Sequence, residues 1–261
     1  MNRPPGPLCG WELGPDWIDA GTLALTRSVA PADHAAVARP ARVHRQHSPG
    51  QSDALRRAAE SRLLALATAQ GMTDPTEQAM FLAQVSHESN GFTHLRESFA
   101  YTPHRLHEIF PHLFRNDAQA SEALAHGADA VAESVYGAAS RQGRRLGNVH
   151  PGDGGRYRGR GYIQLTGLAN YTAAGRALNL DLVGHPELAE DPQHAAEIAV
   201  WFWMQNRNAA RLRSLAALGD VAGVTHIING GYNGLADRRR RFHGYQRQLG
   251  AQGGAATRPL P

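Results

Sequence analysis

Between residues 51 and 250, apolar side chains recur at intervals of three and four, which places them on one face of an α-helix. The clearest case is Leu55–Ala69, which Gly71 ends. The predicted helices are Leu55–Ala69, one starting at Asp74-Pro75, one starting at Thr102-Pro103, Ala195–Asn206, Asp220–Ile228 and Leu235–Leu249. Because no alternating strand pattern accompanies them, the sequence predicts a mainly α fold around one core.

The two ends of the chain lack this periodicity. Residues 1–50 mix proline, glycine and scattered histidine with short Ala/Val stretches, and they finish at Ser48-Pro49-Gly50. Residues 251–261 are rich in glycine, alanine and proline. We therefore predict a poorly ordered or loosely docked N-terminal extension at 1–50, a folded catalytic domain at 51–250 and a flexible tail at 251–261.

Composition narrows the class of protein. Of the 261 residues 42% are hydrophobic, enough for a substantial core, and the formal net charge of +4 favours polyanionic surfaces without identifying one. Cys9 is the single cysteine, which excludes an intramolecular disulfide framework. No segment has the apolar run of a secretory signal or of a membrane span. We expect synthesis in the cytoplasm without a signal peptide, and no membrane span.

Two glutamates form the first candidate site. Glu88 lies at the predicted end of the second helix, after the apolar run Phe81–Val85, and Glu97 follows nine residues later, past a short loop. A carboxyl group at such a helix end has the half-buried setting that raises its pKa. Two carboxyl groups that flank a loop can face one cleft, as glycoside hydrolysis requires. Two glutamates at this spacing are more often solvated side chains, so the pair alone does not identify a catalytic site.

A second group of polar residues follows in Arg158–Thr166. Gly159 and Gly161 imitate a dinucleotide-binding loop, but Gln164 occupies the third glycine position and no strand precedes it. The paired glycines let the backbone pass close to something bulky. Gln164 and Thr166 alternate, so that their side chains could share a face and hold a sugar or a water, or could be half-exposed loop groups.

Two further features have competing interpretations. Asn229 precedes two glycines at a predicted helix end, where it could cap the helix or present its amide to a groove. His87-Glu88 fails as a zinc-protease motif, because Gly91 stands where the second histidine is needed. His104 and His107 lack a third ligand nearby. We therefore expect no metal site.

Taken in order, the segments Phe81–Ser89, Tyr157–Thr166 and Ile228–Gly231 resemble glycoside hydrolase family 19 (chitinase-like), and most closely its bacterial and phage endolysin branch. The resemblance spans about Gln51 to Leu249. It implies a mainly α, lysozyme-like, two-lobed helical domain with a central substrate cleft. It also implies a glycoside hydrolase that uses no metal and no cofactor.

The resemblance assigns roles to particular residues. Glu88 would be the general acid that protonates the glycosidic oxygen, and Glu97 would be the general base that activates a water on the opposite face, in an inverting reaction. Thr166 would help to position that water. The substrate-binding residues would be Gln164, Asn229 and Arg238, of which Arg238 would also support the carboxylates.

The expected substrate is the β-1,4-linked glycan of peptidoglycan, because the chain is compact and lacks a recognisable chitin-binding module. The alternative is a chitinase acting on chitin oligomers. We expect a monomer that acts on the cell wall after release or non-classical export. The run Arg238–Arg241 suggests a different class, a nucleic-acid-binding protein. Against this class, the run lies on a predicted helix, which spreads the side chains around its axis so that at least one faces inward.

The third alternative is a relative that binds glycans without catalysis. The presence of all the predicted site residues argues against it.

Overall fold

The computed structural model describes residues 49–205 and 208–256 of the chain. Within these ranges there are twelve α-helices and one 3-10 helix, and no sheet. The α-helices are α1 Pro49–Ala69, α2 Pro75–Glu88, α3 Pro103–Ile109, α4 Asp117–Ala125, α5 Ala128–Tyr136, α6 Arg141–Arg145, α7 Asp153–Arg156, α8 Leu168–Leu178, α9 Pro192–Gln205, α10 Ala209–Ala217, α11 Val221–Asn229 and α12 Leu235–Ala256, with the 3-10 helix at Pro186–Glu190. The predicted mainly α fold is confirmed.

Local capping explains why the predicted helices begin where they do. The Asp74 side chain accepts a hydrogen bond of 2.8 Å from the Glu77 amide, and Pro75 occupies the first turn of α2. Thr102 caps α3 in the same way, through a 3.2 Å bond from the Arg105 amide. Both predicted starts are therefore confirmed.

Helices run across both predicted domain boundaries. Helix α1 begins at Pro49, so the boundary at residue 50 lies inside its first turn. Helix α12 continues to Ala256, so residues 251–256 of the predicted flexible tail are helical. Glycine lowers helix propensity but does not forbid a helix, and alanine favours one. Residues 1–48 and 257–261 lie outside the described residues, and the predictions for them stay predictions.

Two hydrophobic clusters form two lobes, as predicted. The larger cluster includes Phe81, Tyr171 and Trp203 and draws on α1, α2 and α8 to α12. The smaller one includes Leu106 and Tyr136 and draws on α3 to α5, together with Leu146, which follows α6. The chain passes from the larger to the smaller cluster between Phe92 and Phe99, each of which is buried in its own cluster.

Helix α2 is fixed inside the larger lobe by a buried polar contact at its start. Glu77 is 4% exposed, and its carboxylate accepts hydrogen bonds from Trp203 Nε1 at 3.0 Å and from Arg213 Nε at 2.6 Å. These bonds join α2 to α9 and α10, so the direction of α2 and the place where it ends are set by its neighbours. Of the helices in the described ranges, none is long and apolar enough to cross a bilayer.

Candidate active site

Glu88 is the last residue of α2 and is only 2% exposed. Its Oε1 accepts a short hydrogen bond from Nη2 of Arg238, which is 1% exposed. Arg238 Nη1 donates to Gln84 Oε1 at 2.5 Å, and Gln84 lies one helical turn before Glu88. The sequence predicted a half-buried carboxyl group. The structure instead places a fully buried one whose charge is compensated by an equally buried guanidinium.

Glu97 lies on the extended segment that connects the two lobes. Its amide donates to the Gly159 carbonyl at 2.9 Å, and the Gly161 amide donates to the Leu95 carbonyl at 2.9 Å, so the segment pairs with residues 159–161. The carboxylate accepts hydrogen bonds from the Tyr136 hydroxyl at 3.1 Å and from the Gly159 amide at 3.3 Å. Burial raises the pKa of Glu97 to about 7, against the opposing effect of these two hydrogen bonds.

At both paired glycines the backbone passes close to other groups, as predicted, and at Gly159 one of these groups is the Glu97 carboxylate. A Cβ atom on Gly159 would lie 2.9 Å from Gln164 Oε1 and 3.2 Å from Glu97 Oε2. A Cβ atom on Gly161, whose φ is +74°, would lie 2.9 Å from the Ala189 carbonyl oxygen. Both positions therefore exclude larger residues, one because of the site and the other because of the backbone behind it.

Gln164 and Thr166 lie in the turn that follows. Gln164 is 3% exposed and has a φ of +54°, an uncommon conformation for a residue with a side chain. Its Nε2 donates to the Gly161 carbonyl at 3.0 Å. Thr166 is 2% exposed and donates its hydroxyl hydrogen to the Gln164 carbonyl at 2.8 Å, which leaves the oxygen free to accept. The alternative of half-exposed loop groups is wrong for both residues.

Asn229 is the last residue of α11, and Gly230 ends the helix with a φ of +70°. Asn229 is 7% exposed. Its buried side-chain oxygen, Oδ1, has no hydrogen-bond partner among the described residues. A buried amide oxygen without a donor is unfavourable by about 1–3 kcal/mol. This geometry favours the second interpretation of Asn229, an amide presented to a ligand.

A polar network beside Glu88 was not predicted. His87 Nδ1 lies 2.7 Å from Asp237 Oδ2, which also accepts a 2.6 Å bond from Arg241. Burial and the charge of Arg238 lower the pKa of His87 below its usual value. A Cβ atom on Gly234 would lie 2.2 Å from His87 Nε2, so the glycine is required for the ring to pack there. The sequence signal that could have indicated this network is the spacing of four residues between Asp237 and Arg241, which lets the two side chains pair on one helix.

The structure also shows the surroundings of His104, His107 and the arginine run. His104 is exposed and pairs with Asp117 at 3.3 Å, while His107 Nδ1 lies 2.8 Å from the Phe114 carbonyl. Within the described ranges, no group of three or more His, Cys, Asp or Glu residues is arranged to hold a metal ion. In the arginine run Arg238 is buried whereas Arg240 is exposed, which confirms that one member of the run faces inward.

A cavity of about 380 Å³ lies against the residue before Glu97, Arg96, with Asp129 and Arg160 also in its wall. None of the six predicted site residues lines this cavity. Successive side chains of an extended segment point to opposite sides, so Arg96 and Glu97 face different spaces. The cavity is therefore separate from the carboxylate site.

The two glutamates thus occupy different electrostatic environments on different structural elements. Glu88 ends a helix of the larger lobe and is paired with a buried cation, whereas Glu97 lies between the lobes with a raised pKa. Acid–base hydrolysis needs two carboxyl groups in separate surroundings, one to donate a proton and one to accept a proton. The arrangement suits acid–base hydrolysis.

Comparison with known proteins gives matches along much of the chain. The family model for chitinase class I matches residues 131–215. A protein of Haemophilus influenzae, described as a glycosyl hydrolase family 19 domain-containing protein, is 37% identical over 173 residues, which cover 66% of this chain and 80% of that protein. Chitinase 8 of rice is 45% identical over 91 residues, which cover 29% of this chain and 35% of the rice protein.

Among solved structures, chitinase C from Streptomyces griseus has a TM-score of 0.47 and 23% sequence identity, covering 78% of this chain and 92% of that one. This chain spans about a third of the length of the rice protein, but four fifths of the length of the Haemophilus protein. A match of that extent at 37% identity places the chain in glycoside hydrolase family 19, and the protein is a glycoside hydrolase.

Proposed function

We propose that this enzyme hydrolyses β-1,4 bonds in the N-acetylated glycan of peptidoglycan by an inverting mechanism, and that it acts at the cell wall. The observation that carries the proposal is the pair of buried carboxyl groups, Glu88 and Glu97, which are held on different elements by different partners, Glu88 by Arg238 and Glu97 by Tyr136 and Gly159. Inverting hydrolysis needs one group that donates a proton and one that activates water.

In this proposal Glu88 is the general acid. Arg238 contacts its Oε1, which leaves Oε2 as the atom that would carry the proton to the glycosidic oxygen. The arginine also fixes the direction of the carboxyl group, because it is bonded at the same time to Gln84 and to the Asn233 carbonyl. A donor that is held in place loses little freedom when the substrate arrives.

Glu97 is the general base in this proposal. With a pKa of about 7 its carboxyl group is ionised for a substantial fraction of the molecules at neutral pH and can accept a proton from water. The Thr166 hydroxyl oxygen retains lone pairs that can hold this water, and the Asn229 Oδ1 can accept a hydrogen bond from a sugar hydroxyl or an acetamido N–H.

Chitin is the second candidate substrate. The support for it is that the rice relative is named a chitinase, as is the class of the matching family model. The support for peptidoglycan is the net charge of +4, which favours approach to an anionic cell wall. Both polymers contain β-1,4-linked N-acetylated sugars, so the same two glutamates would serve either one.

The test is to measure reducing ends and product masses from purified peptidoglycan and from chitin oligomers. We expect peptidoglycan to be cleaved to products with ordinary reducing ends, and Glu88→Gln and Glu97→Gln each to lose at least about 100-fold in kcat/KM. Glu122→Gln, at an exposed position on α4, is the matched control and should be unchanged. Full activity of Glu88→Gln would show that Glu88 is not the general acid. Products with anhydro ends would show that the enzyme is a transglycosylase and not a hydrolase.

A further inference from the structure

An exposed aromatic ring lies on the loop that follows α11. Tyr232 is 60% exposed, a large fraction for an aromatic side chain, and its ring centroid lies 5.3 Å from that of His226 with an angle of 31° between the planes. The imidazole therefore supports one side of the tyrosine ring and leaves the rest of the side chain accessible. This contact restricts the ring, although most of its surface faces water.

The His226 ring that supports Tyr232 lies on the same side of α11 as Asn229, whose Oδ1 has no hydrogen-bond partner among the described residues. His226 and Asn229 are three residues apart on the helix, a spacing that places them on one face. A Cβ atom on Gly231 would lie 3.8 Å from Asn229 Oδ1, so the chain passes beside that oxygen just before it reaches Tyr232. Since consecutive Cα atoms are about 3.8 Å apart, the Tyr232 backbone lies within about 10 Å of the oxygen.

The loop is also tied to the residues around Glu88. The Asn233 carbonyl accepts a 3.2 Å hydrogen bond from Nε of Arg238, whose other nitrogens hold Glu88 and Gln84. Gly234 packs directly against the His87 ring. Tyr232 is therefore carried on a short segment whose far end is anchored at the end of α2, where the predicted general acid lies.

We propose that Tyr232, supported by His226, is a stacking platform for one pyranose ring of the bound polysaccharide. The C–H groups on one face of a pyranose are apolar and carry partial positive charge, which complements the electron-rich face of a tyrosine ring. The hydroxyls and the acetamido group project around the edge of the sugar, where the Asn229 Oδ1 offers an acceptor. This inference rests on the proposed function and adds a binding residue to that site.

Single exposed aromatic residues are common on protein surfaces. Tyr232 differs from them in two ways: its ring is held by a second ring, and the buried amide oxygen of the nearby Asn229 has no donor within the part of the chain that the structure describes. Leu218, which is 82% exposed, has neither feature. Leu218 therefore provides a matched control for the loss of an exposed apolar side chain.

The experiment measures binding by calorimetry in the Glu88→Gln background, which prevents turnover. The probes are the hexasaccharide of N-acetylglucosamine and a soluble peptidoglycan glycan fragment. We expect Tyr232→Ala to weaken binding of the glycan by about three- to tenfold, the range for one aromatic contact. Tyr232→Phe should bind within about twofold of its parent because the ring remains, and Leu218→Ala should be unchanged.

The catalytic constants provide a second readout. In the otherwise unchanged enzyme, Tyr232→Ala should raise KM and change kcat by less than about twofold, because stacking is the same in the ground state and the transition state. Equal binding by Tyr232→Ala and its parent, while the parent enzyme releases reducing ends normally, would overturn the platform alone. Failure of the parent to bind either glycan and of the enzyme to cleave either would overturn the proposed function as well.

Discussion

Removing the positive charge beside Glu88 is the most informative perturbation of the fold and of the site together. In Arg238→Met, a carboxylate that is 2% exposed loses its guanidinium partner, and Gln84 loses the donor to its Oε1. Removing one partner of a buried ion pair destabilises a protein by about 3–5 kcal/mol. For a domain of this size each kcal/mol lowers the thermal midpoint by about 2–4 °C, so we expect a fall of about 6–20 °C.

The same reasoning predicts a rescue and a pH dependence. Adding Glu88→Gln to Arg238→Met removes the uncompensated charge, so the double variant should recover most of the lost stability while staying inactive. The unpaired carboxyl group of Arg238→Met binds a proton more readily in the folded state than in the unfolded state. Its stability should therefore rise as the pH falls from 8 to 5, and fall again as the pH rises.

Urea unfolding at pH 5 and pH 8 of the wild type, both single variants and the double variant completes the cycle. If Arg238→Met is as stable as the wild type at pH 8, the ion pair between Arg238 and Glu88 does not stabilise the folded protein as predicted. If the double variant is no more stable than Arg238→Met, the loss comes from altered packing around position 238 rather than from the charge on Glu88.

Three further changes test other parts of the site. Tyr136→Phe removes a hydrogen bond that lowers the pKa of Glu97, so the acid limb of the kcat/KM profile, expected near pH 7, should move to higher pH; an unmoved limb would contradict the role of Glu97 as base. Gly159→Ala introduces a Cβ 2.9 Å from Gln164 Oε1 and should lower kcat/KM by more than about tenfold with little change in thermal midpoint, which kinetics and melting will check. Gly244→Ala, where an added Cβ meets nothing within 4 Å inside α12, should stabilise the protein by about 0.5–1 kcal/mol with activity unchanged; a lower thermal midpoint would refute this.

Local features of the sequence predicted the elements that carry the glutamates. Asp74-Pro75 marks the start of α2 because the cap and the proline act within one turn, and the apolar run that follows places Glu88 at the helix end. The glycines at 159 and 161 likewise indicated a close approach, since a missing Cβ has a purely steric meaning. These signals are read from neighbours along the chain.

The environments of the two carboxyl groups depend on partners that are distant in sequence. Glu88 and Arg238 are separated by 150 residues, and Tyr136 lies 39 residues from Glu97. Burial raises the pKa of Glu97, a residue that the sequence did not single out for such a shift. Burial and pairing arise from tertiary packing, so the residue types could be predicted but not the charges that surround them.

Apart from α3, the helices of the smaller lobe were missed, for a related reason. Helix α4 buries only Ala120, and α5 begins without a side-chain cap, so neither helix has a strong local signal in the sequence. They are stabilised by the cluster that they form around Val131 and Tyr136 rather than by their own propensity. Tyr136 reaches Glu97 only because this lobe packs beside the connecting segment.

The most direct test of the central claim is the anomeric configuration of the first product, followed by proton NMR immediately after the enzyme is mixed with the glycan that it cleaves. Acid–base catalysis by Glu88 and Glu97 with a water on the opposite face inverts the β linkage, so the new reducing end should appear first as the α anomer and then mutarotate. A product that appears first as the β anomer would contradict the account, because it requires a covalent or internally trapped intermediate in place of the activated water.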